Sequence, residues 1–164
     1  MNDIVRELGF MCLGSRMRRI GERMQADVQQ VIDDLELPLQ TSSYPILAAL
    51  DRYGPQRIGD LADAVGVAQP GMTKSVNRLL EDGLVEVLPS GRDQRRRTID
   101  LSDAGRSLVE RSRKDVWPAI EKSVRDLCGE DGLQLLHQLE TLEARASERP
   151  LHDRLRGRLR ESAR

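Results

Sequence analysis

The sequence predicts a mainly α-helical fold that carries one small β-hairpin, an α+β architecture. Two observations support this prediction. Residues 58–101 pass from helical apolar spacing to two strand-like runs, with Gly and Pro where the periodicity changes. Apolar stripes with helical spacing extend far to either side of this segment. We therefore expect short elements in the middle of the chain and long helices at both ends.

The first predicted element is a long amphipathic helix over about residues 3–36, which Pro38 ends. Its apolar stripe comprises Leu13, Met17, Ile20, Met24, Val28, Val31 and Leu35. The next helix begins near Ser42 or Ser43, either of which can cap it, with Pro45 in its first turn. Its inward face comprises Ile46, Leu47 and Leu50.

Two short helices follow, with a turn at Gly66 between them. The apolar face of the first comprises Ile58, Leu61, Ala62 and Val65. Gly66 can adopt the positive φ that a sharp helix end requires, and Pro70 suits the first turn of the second helix. The inward face of that second helix comprises Met72, Val76 and Leu79. Gly83 is the predicted C-cap.

A hairpin comes directly after Gly83. Residues 84–88 form the first strand, Pro89, Ser90 and Gly91 the turn, and residues 97–101 the return strand. The tip carries Arg92, Asp93, Arg95 and Arg96. Two helices followed by a basic hairpin predict a winged helix-turn-helix, which places one helix in a DNA groove and a loop beside it.

Long helices are predicted again after the hairpin. The first has its apolar stripe at Leu108, Val116, Ile120, Val124 and Leu127, and Pro118 should kink it unless the ring lies on the outer side. The next, ending near Ser147, has Leu133, Leu136, Leu139 and Leu142. In the tail, Leu151, Leu155 and Leu159 step by four among arginines. The tail is either a short amphipathic helix docked on a dimer or a disordered basic segment that adds phosphate contacts.

These elements define four regions within one compact domain. We expect an N-terminal dimerisation helix in residues 1–40, the winged helix-turn-helix in 41–102, C-terminal dimerisation helices in 103–147 and the basic tail in 148–164. Because a lone winged-helix unit does not need such long flanks, both ends are expected to pack against a second copy. A two-fold dimer would place two recognition helices about one DNA turn apart.

Polar side chains on the second short helix and at the hairpin tip are the predicted DNA contacts. The helix contributes Gln69, Gly71, Thr73, Lys74, Asn77 and Arg78, and the wing Arg92, Asp93, Arg95 and Arg96. Their donors suit phosphates and base edges. Asp93 can fix the direction of Arg95 towards a narrow minor groove. The alternatives are a merely solvated charged face and a module that docks proteins or binds DNA without sequence specificity.

Over about residues 40–110 the sequence resembles the MarR family (multiple-antibiotic-resistance regulators), dimeric winged-helix transcription factors. The matching segments are residues 58–62, residues 79–85, the Asp-x-Arg wing motif at Asp93 and Arg95, and the Leu-Ser-x-x-Gly motif at 101–105. The sequence departs from the family at Pro70 and Gly71, where Ser or Thr is usual, so some hydroxyl contacts to phosphate would be missing. The resemblance implies a homodimeric repressor that binds a pseudo-palindromic operator in double-stranded DNA.

The resemblance also implies a small, often aromatic and anionic effector that enters a cleft beside the dimer helices. By position, the candidate contacts are Met11, Cys12, Arg16, Tyr44 and Leu47, with Arg16 as the carboxylate partner. The alternative is that all five are ordinary core or surface residues. Some relatives sense oxidants through a cysteine near the N-terminus. The apolar sequence around Cys12 favours an inert thiol instead.

Composition excludes several other functions. The 164 residues are 38% hydrophobic, 32% charged and only 2% aromatic, so stacking platforms for single-stranded nucleic acid are lacking. The net charge of −1 requires any DNA-binding patch to be local. His137 and His152 have no partner at metal-ligand spacing, and we expect no metal, no cofactor and no enzymatic activity. Neither a signal peptide nor a membrane span is recognisable, so a cytoplasmic protein is expected.

Overall fold

The computed structural model describes residues 2–89 and 97–162. The chain divides into two compact units, Met1–Trp117 and Pro118–Arg164. The predicted fold class is confirmed, because the described residues are mainly helical with one small antiparallel sheet. The helices are α1 (Ile4–Glu7), α2 (Leu13–Asp34), α3 (Tyr44–Tyr53), α4 (Ile58–Val65), α5 (Gln69–Glu81), α6 (Asp103–Arg111), α7 (Trp117–Cys128), α8 (Gly132–Glu148) and α9 (Leu151–Ser162). The strands are β1 (Gln56–Arg57), β2 (Val85–Leu88) and β3 (Thr98–Leu101).

The predicted helix over residues 3–36 is broken in its first third, so that prediction was wrong there. Gly9 adopts φ +54°, a left-handed conformation that α-helix cannot continue through, and a 3-10 turn over Gly9–Cys12 joins α1 to α2. Asp3 holds the two helices together. Its carboxylate caps α1 by accepting from the Arg6 amide and accepts two bonds, 2.8 and 3.1 Å, from the Arg19 guanidinium on α2.

The helix-turn-helix is formed as predicted. α4 ends at Gly66, whose φ of 72° is left-handed, and α5 starts with Pro70 in its first turn. The C-cap of α5 is Asp82, one residue earlier than the predicted Gly83, and Gly83 follows it with φ 69°. The Gly83 and Leu84 amides donate to the Leu80 and Leu79 carbonyls, which closes the helix end.

The sheet has three strands in the order β1-β3-β2, all antiparallel. β2 and β3 are the predicted hairpin, each shorter by one residue, with Val85 opposite Leu101 and Leu88 opposite Thr98. β1 was not predicted. It has only two residues, too few to show an alternation of apolar and polar side chains.

One buried core lies among the end of α2, α3, α4, α5, α6 and the sheet. Its largest side chains with almost no exposure are Ile32, Ile46, Leu47, Leu50, Leu61, Met72, Leu79, Ile99, Leu101, Val76 and Val109. Met72, Val76 and Leu79 are buried as predicted, so one face of α5 is fixed against the core. The opposite face of α5 is consequently held towards solvent.

A short clamp joins the end of α5 to the start of α6. The Ser102 hydroxyl donates to the Gly83 carbonyl at 2.6 Å and accepts from the Gly105 amide at 3.0 Å, which makes it the N-cap of α6. A side chain at residue 105 would collide with the Leu84 carbonyl. The clamp therefore requires both the hydroxyl and the glycine, which accounts physically for the Leu-Ser-x-x-Gly spacing.

Between α6 and α7 the helix widens into a π turn over Ser112–Val116. Pro118 follows directly and has no N–H to donate to the carbonyl four residues earlier. The helix type therefore changes just before Pro118, and the expected kink there stays a prediction. π turns are rare and often occur at functional sites.

The second unit consists of most of α7 together with α8 and α9. On α8, His137 is exposed and lies 3.9 Å from the Glu140 carboxylate. Between α8 and α9 the chain turns at Pro150. The tail predicted to be either helical or disordered is helical over α9.

Candidate DNA-binding surface

The solvent face of α5 brings together the helix residues that the sequence analysis selected. The exposed residues among them are Gln69, Gly71, Lys74, Asn77 and Arg78, whereas Thr73 is half-buried. A shallow groove on this face is lined by Pro70, Thr73, Lys74, Asn77, Arg78, Glu81 and Asp82. Because the buried face of the same helix is locked into the core, these side chains are presented from a rigid support.

Two local contacts organise the polar face of α5. The Thr73 hydroxyl donates to the Gln69 carbonyl at 2.9 Å, which satisfies it within the helix. The Arg78 guanidinium lies 4.0 Å from the Asp82 carboxylate in an exposed i,i+4 pair. Such a pair is weak in water, so Arg78 can exchange it for a phosphate at little cost.

Charge along the groove is asymmetric. Lys74 and Arg78 provide cations along α5, whereas Glu81 and Asp82 close its C-terminal end with carboxylates. A phosphate would be attracted to the basic part and repelled from the acidic end. The groove can therefore accept a polyanion in a restricted position rather than along its whole length.

The wing is supported from below by an ion pair. Asp100 on β3 is almost fully buried; one carboxylate oxygen accepts from the Leu101 amide and the other lies 2.6 Å from the Arg106 guanidinium. This pair anchors the base of the hairpin to α6. The predicted wing contacts Arg92, Asp93, Arg95 and Arg96 lie outside the described residues.

The five predicted effector contacts do not share one environment. Leu47 is buried in the core with 1% exposure, whereas Met11 is 77% exposed. Cys12 is partly exposed at the end of the 3-10 turn. Arg16 lines a shallow basic groove on α1 and α2 with Asp3, Arg6, Arg19, Ile20 and Arg23. Tyr44 opens α3 and is half-buried.

Tyr44 belongs to a polar cluster that the sequence analysis missed. The Tyr44 hydroxyl, the Ser112 hydroxyl and the Trp117 indole N–H are buried and have no hydrogen-bond partner among the described residues. The two rings meet edge to face, with centroids 6.1 Å apart. Burial raises the pKa of Tyr44, and the Ser112 hydroxyl beside it offsets part of that rise, although the two hydroxyls do not meet hydrogen-bond geometry. The one available sequence signal was the rarity of aromatic residues.

The described residues offer little for other chemistry. Residues 2–89 and 97–162 contain no group of three potential metal ligands. Within the same ranges, no helix combines the length and apolar character needed to cross a membrane.

Comparison with known proteins finds a family match over the middle of the chain. A model of the MarR family matches residues 37–96, from the loop after α2 into the wing. Over these residues the chain is similar to the MarR family. Members of this family are transcription regulators and not enzymes.

Individual relatives agree with the family and with the fold. BadR of Rhodopseudomonas palustris, named a transcriptional activatory protein, is 33% identical over 75 residues, which are 44% of this chain and 43% of BadR, less than half of that relative's length. A mutant of MarR from E. coli, in complex with operator DNA, has a TM-score of 0.69 at 18% identity, covering 85% of this chain and 97% of MarR. The transcriptional repressor CouR, bound to a 23-mer DNA duplex, has a TM-score of 0.65 at 23% identity, covering 80% and 92%.

Proposed function

We propose that this chain is a MarR-family regulator that binds double-stranded DNA sequence-specifically, acts as a dimer on a pseudo-palindromic operator and responds to a small effector. The observation that carries the proposal is the two-faced packing of α5. Its apolar face is buried while Lys74, Asn77 and Arg78 point from the opposite face into one groove. Lys74 and Arg78 would bind phosphates, and the Asn77 amide can read a base edge.

Operator DNA appears in the name of one structural neighbour and a 23-mer DNA duplex in the name of another, which supports DNA as the partner. The second supporting feature is the clamp between α5 and α6, because it fixes where the recognition helix ends and the wing begins. From the sequence, Arg95 held by Asp93 would add a minor-groove contact. The acidic end of the α5 groove would limit how far the phosphate backbone can run along the helix.

Exposed apolar surface supports the dimer. On α2 the predicted stripe remains accessible, with Met17 37%, Ile20 49% and Val31 52% exposed. A soluble protein rarely leaves such a continuous stripe in water, whereas a homodimer interface buries it. Two-fold symmetry then presents two α5 helices to successive turns of the same DNA face.

The cluster of Tyr44, Ser112 and Trp117 supports the effector response. Three buried donors without acceptors are costly unless an acceptor is supplied, and an aromatic carboxylate offers oxygen acceptors together with an apolar ring. The cluster joins α3 to the π turn, whose Arg113 also pairs with Asp51 of α3. A ligand there would bias how these two elements pack and thereby the position of the winged helix.

Repression is the proposed sign of regulation. A dimer on an operator that overlaps a promoter excludes polymerase by occupancy alone, whereas activation needs an additional contact surface. BadR is named an activator and CouR a repressor, so both signs occur among the relatives. Transcription in vitro from the bound promoter, with and without the protein, decides between them.

The deciding experiment is binding to duplex DNA from the chain's own upstream region across a salt series, with a random duplex as control. We expect the specific duplex to bind at least about a thousandfold more tightly. Asn77→Ala and Arg95→Ala should each reduce the difference in affinity between the specific and the random duplex. The protein is also tested against a library of duplexes from the genome. Equally weak binding to the upstream duplex and to this library would instead identify a protein-docking or architectural module.

The effector proposal has a separate test. Benzoate and 4-hydroxybenzoate are titrated into the protein–operator complex, and release of DNA is followed by anisotropy. Ser112→Ala should raise the concentration needed for release without changing operator affinity. Ser107→Ala, in which an exposed hydroxyl of α6 is removed, is the matched control. Equal release curves for both variants would exclude the cluster as the site.

A further inference from the structure

The second unit has no core of its own. Among the described residues, none from Trp117 to Ser162 is buried, although α7, α8 and α9 together carry many leucines. The most exposed of these on α7 and α8 are Leu127 at 74%, Leu133 at 69% and Leu136 at 58%. Helices that bury nothing gain little from tertiary packing and are marginal in water. This unit therefore needs a partner surface to be stable.

One apolar face of α9 is also uncovered. Leu151, Leu155 and Leu159 follow one another at steps of four, so they form a single stripe along the helix. They are 76%, 57% and 63% exposed. The helix thus does not use this stripe to pack on its own α8.

The corner between α8 and α9 is nevertheless well built. The Arg154 guanidinium donates to the carbonyls of Arg145 and Arg149, both at 2.8 Å, and so caps the C-terminal end of α8. Gly157 leaves room for the Arg149 side chain, since a Cβ there would lie 3.3 Å from its guanidinium. A helix held at a defined corner with its apolar stripe uncovered is suited to reach another molecule.

The distribution of charge indicates which molecule covers the leucine stripe of α9. α9 is basic around its stripe, with Arg154, Arg156, Arg158 and Arg160 against Asp153 and Glu161. The α7–α8 segment of the same unit is acidic, with Glu121, Asp126, Glu130, Asp131, Glu140, Glu143 and Glu148 against Lys122, Arg125 and Arg145. A second copy of the chain offers exposed leucines that can pack on the stripe. It also offers carboxylates that can pair with the arginines.

We propose that α9 is an inter-subunit arm, whose leucine stripe packs on the exposed leucines of α7 and α8 in the second copy, with Arg156 and Arg158, which flank the stripe, beside the acids there. By two-fold symmetry each copy gives one arm and receives one, so the contact is made twice. This inference rests on the proposed dimer and adds a specific contact to it.

The first test compares two double variants of the full chain. Leu155→Gln with Leu159→Gln changes the stripe, and Asp153→Gln with Arg160→Gln changes the opposite side of the same helix, with the same residue introduced and no change of net charge. The dimer dissociation constant is measured by sedimentation equilibrium. We expect the leucine variant to raise it at least tenfold and the control to leave it within threefold.

The outcomes separate the arm from the dimer and from DNA binding. A wild-type monomer at every protein concentration would overturn both the arm and the proposed dimer. A wild-type dimer whose dissociation constant the leucine variant leaves unchanged would overturn the arm alone. If replacing Arg156 and Arg158 by Gln leaves the dimer intact but flattens the salt dependence of DNA binding, α9 contacts phosphates and the arm is likewise overturned.

A second test detects the contact itself. With Cys12 and Cys128 replaced by serine, chains carrying Leu155→Cys are mixed with chains carrying Leu133→Cys and treated with a short bifunctional maleimide. A covalent heterodimer is expected, because the two thiols are on different chains. Arg160→Cys in place of Leu155→Cys should give much less product. Equal yields from both mixtures would contradict the proposed orientation of the arm.

Discussion

Gly105 is a position at which the fold leaves no room for a side chain. A Cβ at this position would overlap the Leu84 carbonyl oxygen, which is backbone and cannot turn away. We expect Gly105→Ala to lower the free energy of unfolding by about 2–3 kcal/mol, as overpacking in a fixed environment does. Urea denaturation measures it. Gly71→Ala is the control, since a Cβ there would meet no other atom and a helical Ala should add about 0.5–1 kcal/mol.

Lys74 and Asn77 are neighbours on the α5 groove, but their expected contributions to DNA binding differ. A lysine on phosphate contributes the same to every sequence, so Lys74→Ala should weaken operator and random DNA alike and reduce the salt slope by about one. An asparagine on a base edge discriminates, so Asn77→Ala should cost about 1–3 kcal/mol on the operator only. Fluorescence anisotropy with both duplexes measures this. Identical losses for the two variants would contradict the assignment.

Single residues were predicted best where their role is local. Gly66 and Pro70 had the expected roles, because a left-handed helix end and a first-turn proline each depend on one residue's own φ. The roles of Ser102 and Gly105 could be matched as a motif but not explained, since the Gly83 and Leu84 carbonyls that they meet lie well back along the chain. The cluster of Tyr44, Ser112 and Trp117 was missed for the same reason.

Elements were predicted where periodicity is long and uninterrupted. The four-residue α1 was merged into α2, because one glycine does not disturb an apolar stripe enough to reveal a break. β1 pairs with β3 through two residues and has no periodicity of its own. The π turn before Pro118 could be anticipated only as a kink, since a proline predicts a lost hydrogen bond but not how the helix accommodates it.

The π turn carries its own prediction. The Ser112 hydroxyl is buried without a partner among the described residues, so its removal breaks no hydrogen bond there. We expect Ser112→Ala to raise the free energy of unfolding by about 0.5–1 kcal/mol, more than the exposed Ser107→Ala does. Thermal denaturation of both variants compares them. A loss of more than about 1 kcal/mol in Ser112→Ala would mean that the hydroxyl is hydrogen-bonded in solution.

The molecule as a whole distributes its apolar residues unevenly. The winged-helix region holds nearly all buried side chains, whereas α2 keeps a single buried residue, Ile32, and the described residues of the second unit have none. Sequence periodicity predicted that the long helices are amphipathic. It could not predict which surface covers their apolar faces, because periodicity within one helix says nothing about the element or molecule packed against it. The proposed dimer and the proposed operator geometry must therefore be tested by measurements on the assembled protein and its DNA complex.

Operator geometry gives the sharpest such test. Two α5 helices related by a two-fold axis must meet the same face of the DNA, so the half-sites should be centred about one helical turn, roughly 10–10.5 base pairs, apart. Inserting five base pairs between them turns one half-site to the far side of the duplex. We expect that insertion to reduce operator affinity to the level of a single half-site, measured by electrophoretic mobility shift. Because the clamp fixes α5 within the winged helix, α5 cannot turn to follow the displaced half-site. Undiminished binding after the insertion would show that one subunit suffices, and the exposed stripe of α2 would then need another explanation.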